Sequence, residues 1–220
     1  MKFLRKDLYF SIITGFIAGF IAWQVFDFLN VRLWIFGHFV CPSGFLCTQV
    51  IRNEISWAWL MLIVPVLWIF GVNLGYFLGR WFKFFNQFGK FAAVGFTNAA
   101  VYFGILNILI YYSDINKGLW YSVFVALAFI VGTIHSYFWN KFWVFQATDR
   151  EISREEFGKF LSVSVIAGLI NVGTASGIVN LVAPTFGLTA DQWANAGGVA
   201  GSAVALVFSF VGFKLAVFKK

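Results

Sequence analysis

The chain has 220 residues, 60% of them hydrophobic and only 11% charged, with a mean hydropathy of +0.82. Soluble domains carry about 25% charged residues, so this composition excludes a soluble fold and puts most of the chain in lipid. The net charge of +7 does not call for nucleic acid, because the cations are distributed as a membrane protein distributes them.

Six apolar stretches, near residues 8–30, 56–79, 90–112, 119–140, 160–183 and 193–213, each reach the roughly 20 residues a bilayer crossing needs. They are continuous rather than alternating, which selects helices over a barrel. The expected fold is all-α: a polytopic membrane protein with six transmembrane helices. Lys2, Arg5, Lys6, Arg80, Lys83, Lys90, Lys141, Arg150, Arg154, Lys159, Lys214, Lys219 and Lys220 then share one side, and only Arg32, Arg52 and Lys117 the other. That bias puts both termini in the cytoplasm. The basic start resembles a signal peptide but lacks a small-residue cleavage site, so it is read as a retained first helix.

Helix one carries Gly15 and Gly19, and Asp27 is the one acid placed inside any helix, read as interfacial. The loop from Val31 to Ile55 holds Trp34, Phe36, Phe39 and Phe45, rings that suit the outer headgroup layer; a lid or docking surface is the sharper alternative. Cys41 and Cys47 lie in this outward loop, where an oxidising compartment favours a disulfide. With His38 they supply too few ligands for structural zinc. Helix two carries Gly71, Gly75 and Gly79, and Pro65 interrupts it. Helices five and six carry Gly173 and Gly177, then Gly197 and Gly201; small residues at this spacing let helices approach closely.

The tetrapeptide Phe-Gly-Lys-Phe occurs at Phe88–Phe91 and again at Phe157–Phe160, and Ser136–Phe145 reappears in part as Ser209–Phe218. These repeats divide the chain into an N-terminal hairpin with an aromatic outer loop, residues 1–86, and a four-helix domain, residues 87–220. The domain contains repeat 1 (88–145) and repeat 2 (157–218). Both repeats start and finish in the cytoplasm, which implies a pseudo-twofold axis along the membrane normal.

No carboxylate falls at mid-membrane depth in the duplicated region, which weakens a proton-coupled exporter of cations. Lys90, Lys141, Lys159 and Lys214 sit at cytoplasmic helix ends. They are either snorkelling anchors or a collar of point charges suited to phosphate. The deeper polar residues are Asn98, Asn107, His135, Asn140 and Asn171. Asn107 is read as an interhelical hydrogen-bonder, and for His135 a structural hydrogen bond outweighs proton transfer. No nucleotide loop, metal spacing or catalytic triad is present, so neither an enzyme nor a cofactor is expected.

Phe88-Gly-Lys-Phe-Ala-Ala-Val-Gly-Phe-Thr-Asn98, followed by Ser136–Phe145, resembles the GtrA-like family, whose pattern is close to F-x-x-F-x-x-V-G-x-x-N and then S/N-F-x-x-N-[RK]-x-W-V-F. The resemblance covers residues 88 to about 220. It is specific in the first half, whereas Ser164, Ala167 and Phe213 depart from the pattern in the second. It implies flipping of a polyprenyl-phosphate-linked monosaccharide from the cytoplasmic to the outer leaflet of a prokaryotic plasma membrane, beside membrane glycosyltransferases. On that reading Lys141 and Asn140 hold the phosphate, helped by Lys90, Lys159 and Lys214. Asn98 and His135 line the substrate site, and Trp139, Phe142 and Trp143 face prenyl tail or sugar. Membrane lipids are further partners, and a homodimer is compatible. The rival readings are a non-transporting scaffold that recruits glycosyltransferases and a small-multidrug-type solute transporter, the second of which requires a buried acid.

Overall fold

The computed structural model describes residues 4–31, 34–40, 49–54, 56–83, 85–144 and 154–216. Six long helices run α1 (Arg5–Phe28), α2 (Leu60–Leu78), α3 (Phe85–Ser113), α4 (Gly118–Trp139), α5 (Arg154–Leu181) and α6 (Ala190–Ala216). Among the described residues, α1 to α5 are each long and apolar enough to cross a bilayer, and α6 packs along α5. The expected polytopic helical membrane protein is what forms. Two additions lie between and after helices. The outer loop contains an antiparallel hairpin of β1 (Trp34–Val40) and β2 (Gln49–Glu54), with Trp34 opposite Glu54 and Val40 opposite Gln49. The cysteine pair falls outside the described residues. After α4 the chain continues as one π-helical turn, Asn140–Val144.

Helix α1 inverts the pattern of a soluble helix. Asp7, Ser11, Thr14, Gly15, Ala18 and Gly19 are buried, whereas Leu8, Ile12, Phe16 and Phe20 are exposed. In lipid, apolar side chains lose nothing by facing outward, and small or polar residues gain close contacts and hydrogen bonds inside. A Cβ on Gly15 would lie 2.5 Å from the Pro65 Cα, and one on Gly19 would overlap the Leu60 carbonyl. Backbone contact with α2 therefore depends on these two glycines. Gly75 and Gly89 bring α2 against α3 in the same way, and Gly197 and Gly201 bring α6 against Ala175 of α5. Gly173 and Gly177, expected to do likewise, face open space, because α5 meets α6 through Asn171, Ala175 and Val179 instead.

The α1–α2 hairpin packs against α3, and α3, α4, α5 and α6 form a four-helix unit. Its outer half is a core of Tyr102, Leu106, Ile110, Tyr121, Phe124, Val125, Ala128, Ala175, Val179 and Ala194. Two hydrogen bonds in this core link residues that correspond in the repeat. Tyr102 Oη donates to Asn171 Oδ1 across a separation of 69 residues, the same offset as between Phe88 and Phe157. Tyr121 Oη donates to the Ala194 carbonyl across 73, the offset between Ser136 and Ser209. Each of these bonds thus joins a residue to the one at the equivalent position of the sequence repeat. Asn107 and Asn195 exchange two amide hydrogen bonds of 2.7 and 2.8 Å between α3 and α6, the interhelical role expected of Asn107.

Helix ends are finished with local chemistry. Thr189 Oγ1 accepts from the Gln192 N–H and Gln192 Oε1 from the Thr189 N–H, a reciprocal cap that starts α6. The same Gln192 side chain donates to the Leu29 carbonyl at the end of α1. The turn into α4 uses Gly118 at φ +78°, a conformation open to a residue without Cβ, and its N–H donates to Asn180 of α5.

Candidate functional site

The N-terminal ends of α1 and α3 and the C-terminal ends of α2 and α4 meet at one carboxylate. Helix α1 starts at Arg5, so Asp7 sits in its first turn. This corrects the expectation that Asp27 was the only helical acid. Asp7 is fully buried. Its Oδ1 lies 2.7 Å from Lys90 Nζ and accepts from Trp143 Nε1 at 3.1 Å. Its Oδ2 accepts from Tyr76 Oη at 2.8 Å and from the Leu4 N–H at 3.1 Å. Four donors fill the four lone-pair sites that a carboxylate offers. The Lys90 ammonium also stands 5.4 Å from the centre of the Tyr76 ring, a cation–π distance. The pair is closed in by Val72, Tyr76, Ala93, Val94, Trp143 and Val144, with Phe10, Trp68 and Trp139 around them.

Two expectations change as a result. Lys90 is neither a snorkelling anchor nor a free member of a cationic collar: it is 3% exposed and neutralised by Asp7. Trp143 does not face prenyl tail or sugar; at 1% exposure its ring is interior and its N–H is spent on Asp7. The cause is the N-terminal hairpin, which covers this face of α3 and α4. Phe142, by contrast, is exposed.

The remaining polar candidates lie along α4 and the α3 surface facing it. Gly132, His135, Ser136, Trp139, Asn140 and Trp143 fall three or four residues apart, which puts them on one helical face. Asn98 of α3 meets this face at Gly132, where a Cβ would come within 3.0 Å of its Oδ1. Asn140 Nδ2 donates back to the Ser136 carbonyl and hydroxyl at 2.9 and 3.1 Å. Asn98 Oδ1, both ring nitrogens of His135 and Asn140 Oδ1 are buried and without a hydrogen-bond partner among the described residues. The structural hydrogen bond expected of His135 is not made. Its ring packs instead beside Trp139, centroids 6.1 Å apart, and Trp139 packs edge-on to Phe10 at 5.5 Å.

Asn98 thus meets α4 at Gly132, on the helical face that also carries His135, Trp139 and Asn140. Lys141 occupies the π-turn that ends this face, Lys159 lies near the start of α5, and Lys214 near the end of α6. Those three lysine side chains fall outside the described residues. Sequence reasoning missed Asp7 and Tyr76. One signal was available: an acid between Lys6 and the first apolar run, in an otherwise basic segment, marks a site with a reason to be negative.

A family model described as GtrA/DPMS, transmembrane domain, matches residues 90–218. Its first matched residue is Lys90, so α1 and α2 stand outside it while Asn98, His135, the π-turn and the Tyr102–Asn171 and Tyr121–Ala194 contacts fall within. No curated protein and no solved structure matches the chain.

Proposed function

Because the chain belongs to the GtrA/DPMS transmembrane-domain family, we propose that it flips a polyprenyl-phosphate-linked monosaccharide from the cytoplasmic to the outer leaflet of a prokaryotic plasma membrane. The translocated glycolipid would serve cell-surface glycan synthesis, with membrane glycosyltransferases making it inside and consuming it outside. The protein moves its substrate and leaves it chemically unchanged.

One observation carries this reading: the uncommitted polar atoms of Asn98, His135 and Asn140 strung along the inner half of the α3–α4 interface. A polar atom left unpaired within the membrane costs several kcal/mol. A sugar crossing the bilayer presents the complementary need, since each hydroxyl leaving water must find a partner. Asn98 and Asn140 offer carbonyl acceptors, and His135 offers a donor and an acceptor. At the cytoplasmic end the phosphate meets the π-turn, where Lys141 supplies charge and Asn140 a directed amide. Lys159 and Lys214, at the same end of the second hairpin, add to the field. Lys90 belongs to the scaffold of this site, because its charge is already matched by Asp7.

The solute-exporter reading asks for a buried acid free to exchange a proton for a cation. Asp7 is buried, but it lies outside the four-helix domain and four donors hold it. That occupancy argues for the lipid-linked sugar.

The test is transfer in liposomes. Purified protein is reconstituted with a short-chain polyprenyl-phosphate sugar, and arrival in the opposite leaflet is timed. The expected result is protein-dependent transfer that falls in Lys141→Ala and in His135→Ala. Folded protein giving no transfer above protein-free liposomes would replace flipping with the scaffold reading.

A further inference from the structure

The Asp7 carboxylate joins four chain segments, three in the N-terminal hairpin and α3, and the fourth the π-turn of Asn140–Val144. That turn needs outside support. A π-turn makes i→i+5 bonds, is rare, and occurs mostly as a single inserted turn near functional sites. Here it directly follows α4. Its two buried residues, Trp143 and Val144, are its anchors, and Trp143 has one directional contact, the 3.1 Å hydrogen bond to Asp7 Oδ1. The same oxygen takes the Lys90 ammonium at 2.7 Å. The turn also packs directly on α3, Trp143 and Val144 sharing one cluster with Ala93 and Val94, and the shared Asp7 oxygen adds the directional contact to that packing.

We propose that Asp7 is a positioning residue: through Trp143 and Lys90 it sets the π-turn, and with it Lys141 and Asn140, at a fixed place against α3. The N-terminal hairpin, which the family match does not include, acts through this contact as a built-in clamp on the phosphate end of the site. For its consequence in transport the proposal rests on the flipping reading above. The competing explanation is that Asp7 only neutralises a buried lysine. The two differ in what happens when both charges are removed together.

The experiment compares Asp7→Leu/Lys90→Met with Trp143→Phe in the full-length protein labelled with 5-fluorotryptophan. The Trp143 19F line is identified by its loss in Trp143→Phe. Melting in detergent reports folding, and liposome transfer reports function. The double variant removes both buried charges and keeps the apolar volume, so it is expected to melt near the parent temperature. If Asp7 positions the turn, the Trp143 line shifts or broadens in that variant and transfer drops by roughly tenfold, the scale of a lost charge-assisted hydrogen bond. An unmoved line with parental transfer would overturn the proposal and leave Asp7 as a counter-ion. Should the double variant fail to fold, Trp143→Phe decides, since it keeps the ion pair and a buried ring. A folded Trp143→Phe with reduced transfer supports positioning, and one with parental transfer refutes it. A parent that transfers nothing would sink the flipping reading. The 19F line of the double variant then judges the clamp alone, a shift supporting it and an unchanged line overturning it.

Discussion

Replacing Asn107 with leucine removes both hydrogen bonds that α3 shares with Asn195 of α6, at 2.7 and 2.8 Å. Each asparagine also donates to its own helix, Asn107 to the Phe103 carbonyl and Asn195 to that of Asp191. In the native pair every amide donor is therefore used. Interhelical hydrogen bonds in membranes average about 0.6 kcal/mol each, so the two bonds together account for about 1 kcal/mol. The larger cost is the buried Asn195 carbonyl and N–H left without partners, about 1–3 kcal/mol. Asn107→Leu should cost about 2–4 kcal/mol, and Asn195→Leu a similar amount. The double leucine variant leaves no orphan and should cost only about 1–2 kcal/mol; at the low end of these ranges, about 2 kcal/mol for each single change and about 1 for both, the coupling energy is about 3 kcal/mol, at the upper end for residues in contact. Reversible unfolding in mixed micelles, followed by tryptophan fluorescence, measures all four corners of the cycle. Additive single and double changes would refute the reasoning, because they would mean that neither amide depends on the other.

The buried ion pair should be asymmetric. Asp7→Ala strands the Lys90 ammonium and should cost about 3–5 kcal/mol, whereas Lys90→Met leaves Asp7 three hydrogen-bond donors and should cost less; melting temperatures in detergent rank the two. Gly15→Leu drives a side chain into the backbone at Pro65 and should destabilise by at least about 1–3 kcal/mol, while Gly177→Leu, which faces open space, should melt near the parent. Gly132→Ala brings a methyl within 3.0 Å of Asn98 Oδ1 and displaces that amide. It should slow liposome transfer several-fold while changing the melting temperature little, and parental transfer would remove Asn98 from the site.

The six helices are legible from sequence because the bilayer imposes a length and forbids unpaired backbone, and both constraints leave long apolar runs. The internal repeat is a property of the sequence itself, since Phe-Gly-Lys-Phe recurs intact. The electrostatics of the site are not legible there. A helix start placed at Leu8, where the apolar run begins, leaves Asp7 in the headgroup layer with Lys2, Arg5 and Lys6. Its actual partner is Lys90, far away in sequence and outside the reach of any local pattern. Trp143 misled for a related reason: an indole near a helix end reads as an interfacial anchor until another segment covers it. The contacts between equivalent repeat positions were within reach. Tyr102 and Asn171 occupy equivalent repeat positions, and a comparison made along the repeat offset, rather than between the two asparagines at 98 and 171, finds them.

The Asp7 contact also constrains how the protein is made. Lys90 is synthesised about eighty residues after Asp7, an interval of roughly 4–16 s at about 5–20 residues per second, and Trp143 follows later still. Within that interval the acid at the start of α1 has at most two of its four donors, the Leu4 N–H and Tyr76 Oη of its own hairpin, and lacks its counter-ion. The first hairpin is therefore made before α3 and the π-turn, the segments that complete its buried contact. The contact at the head of α1 is completed only by the turn that follows α4.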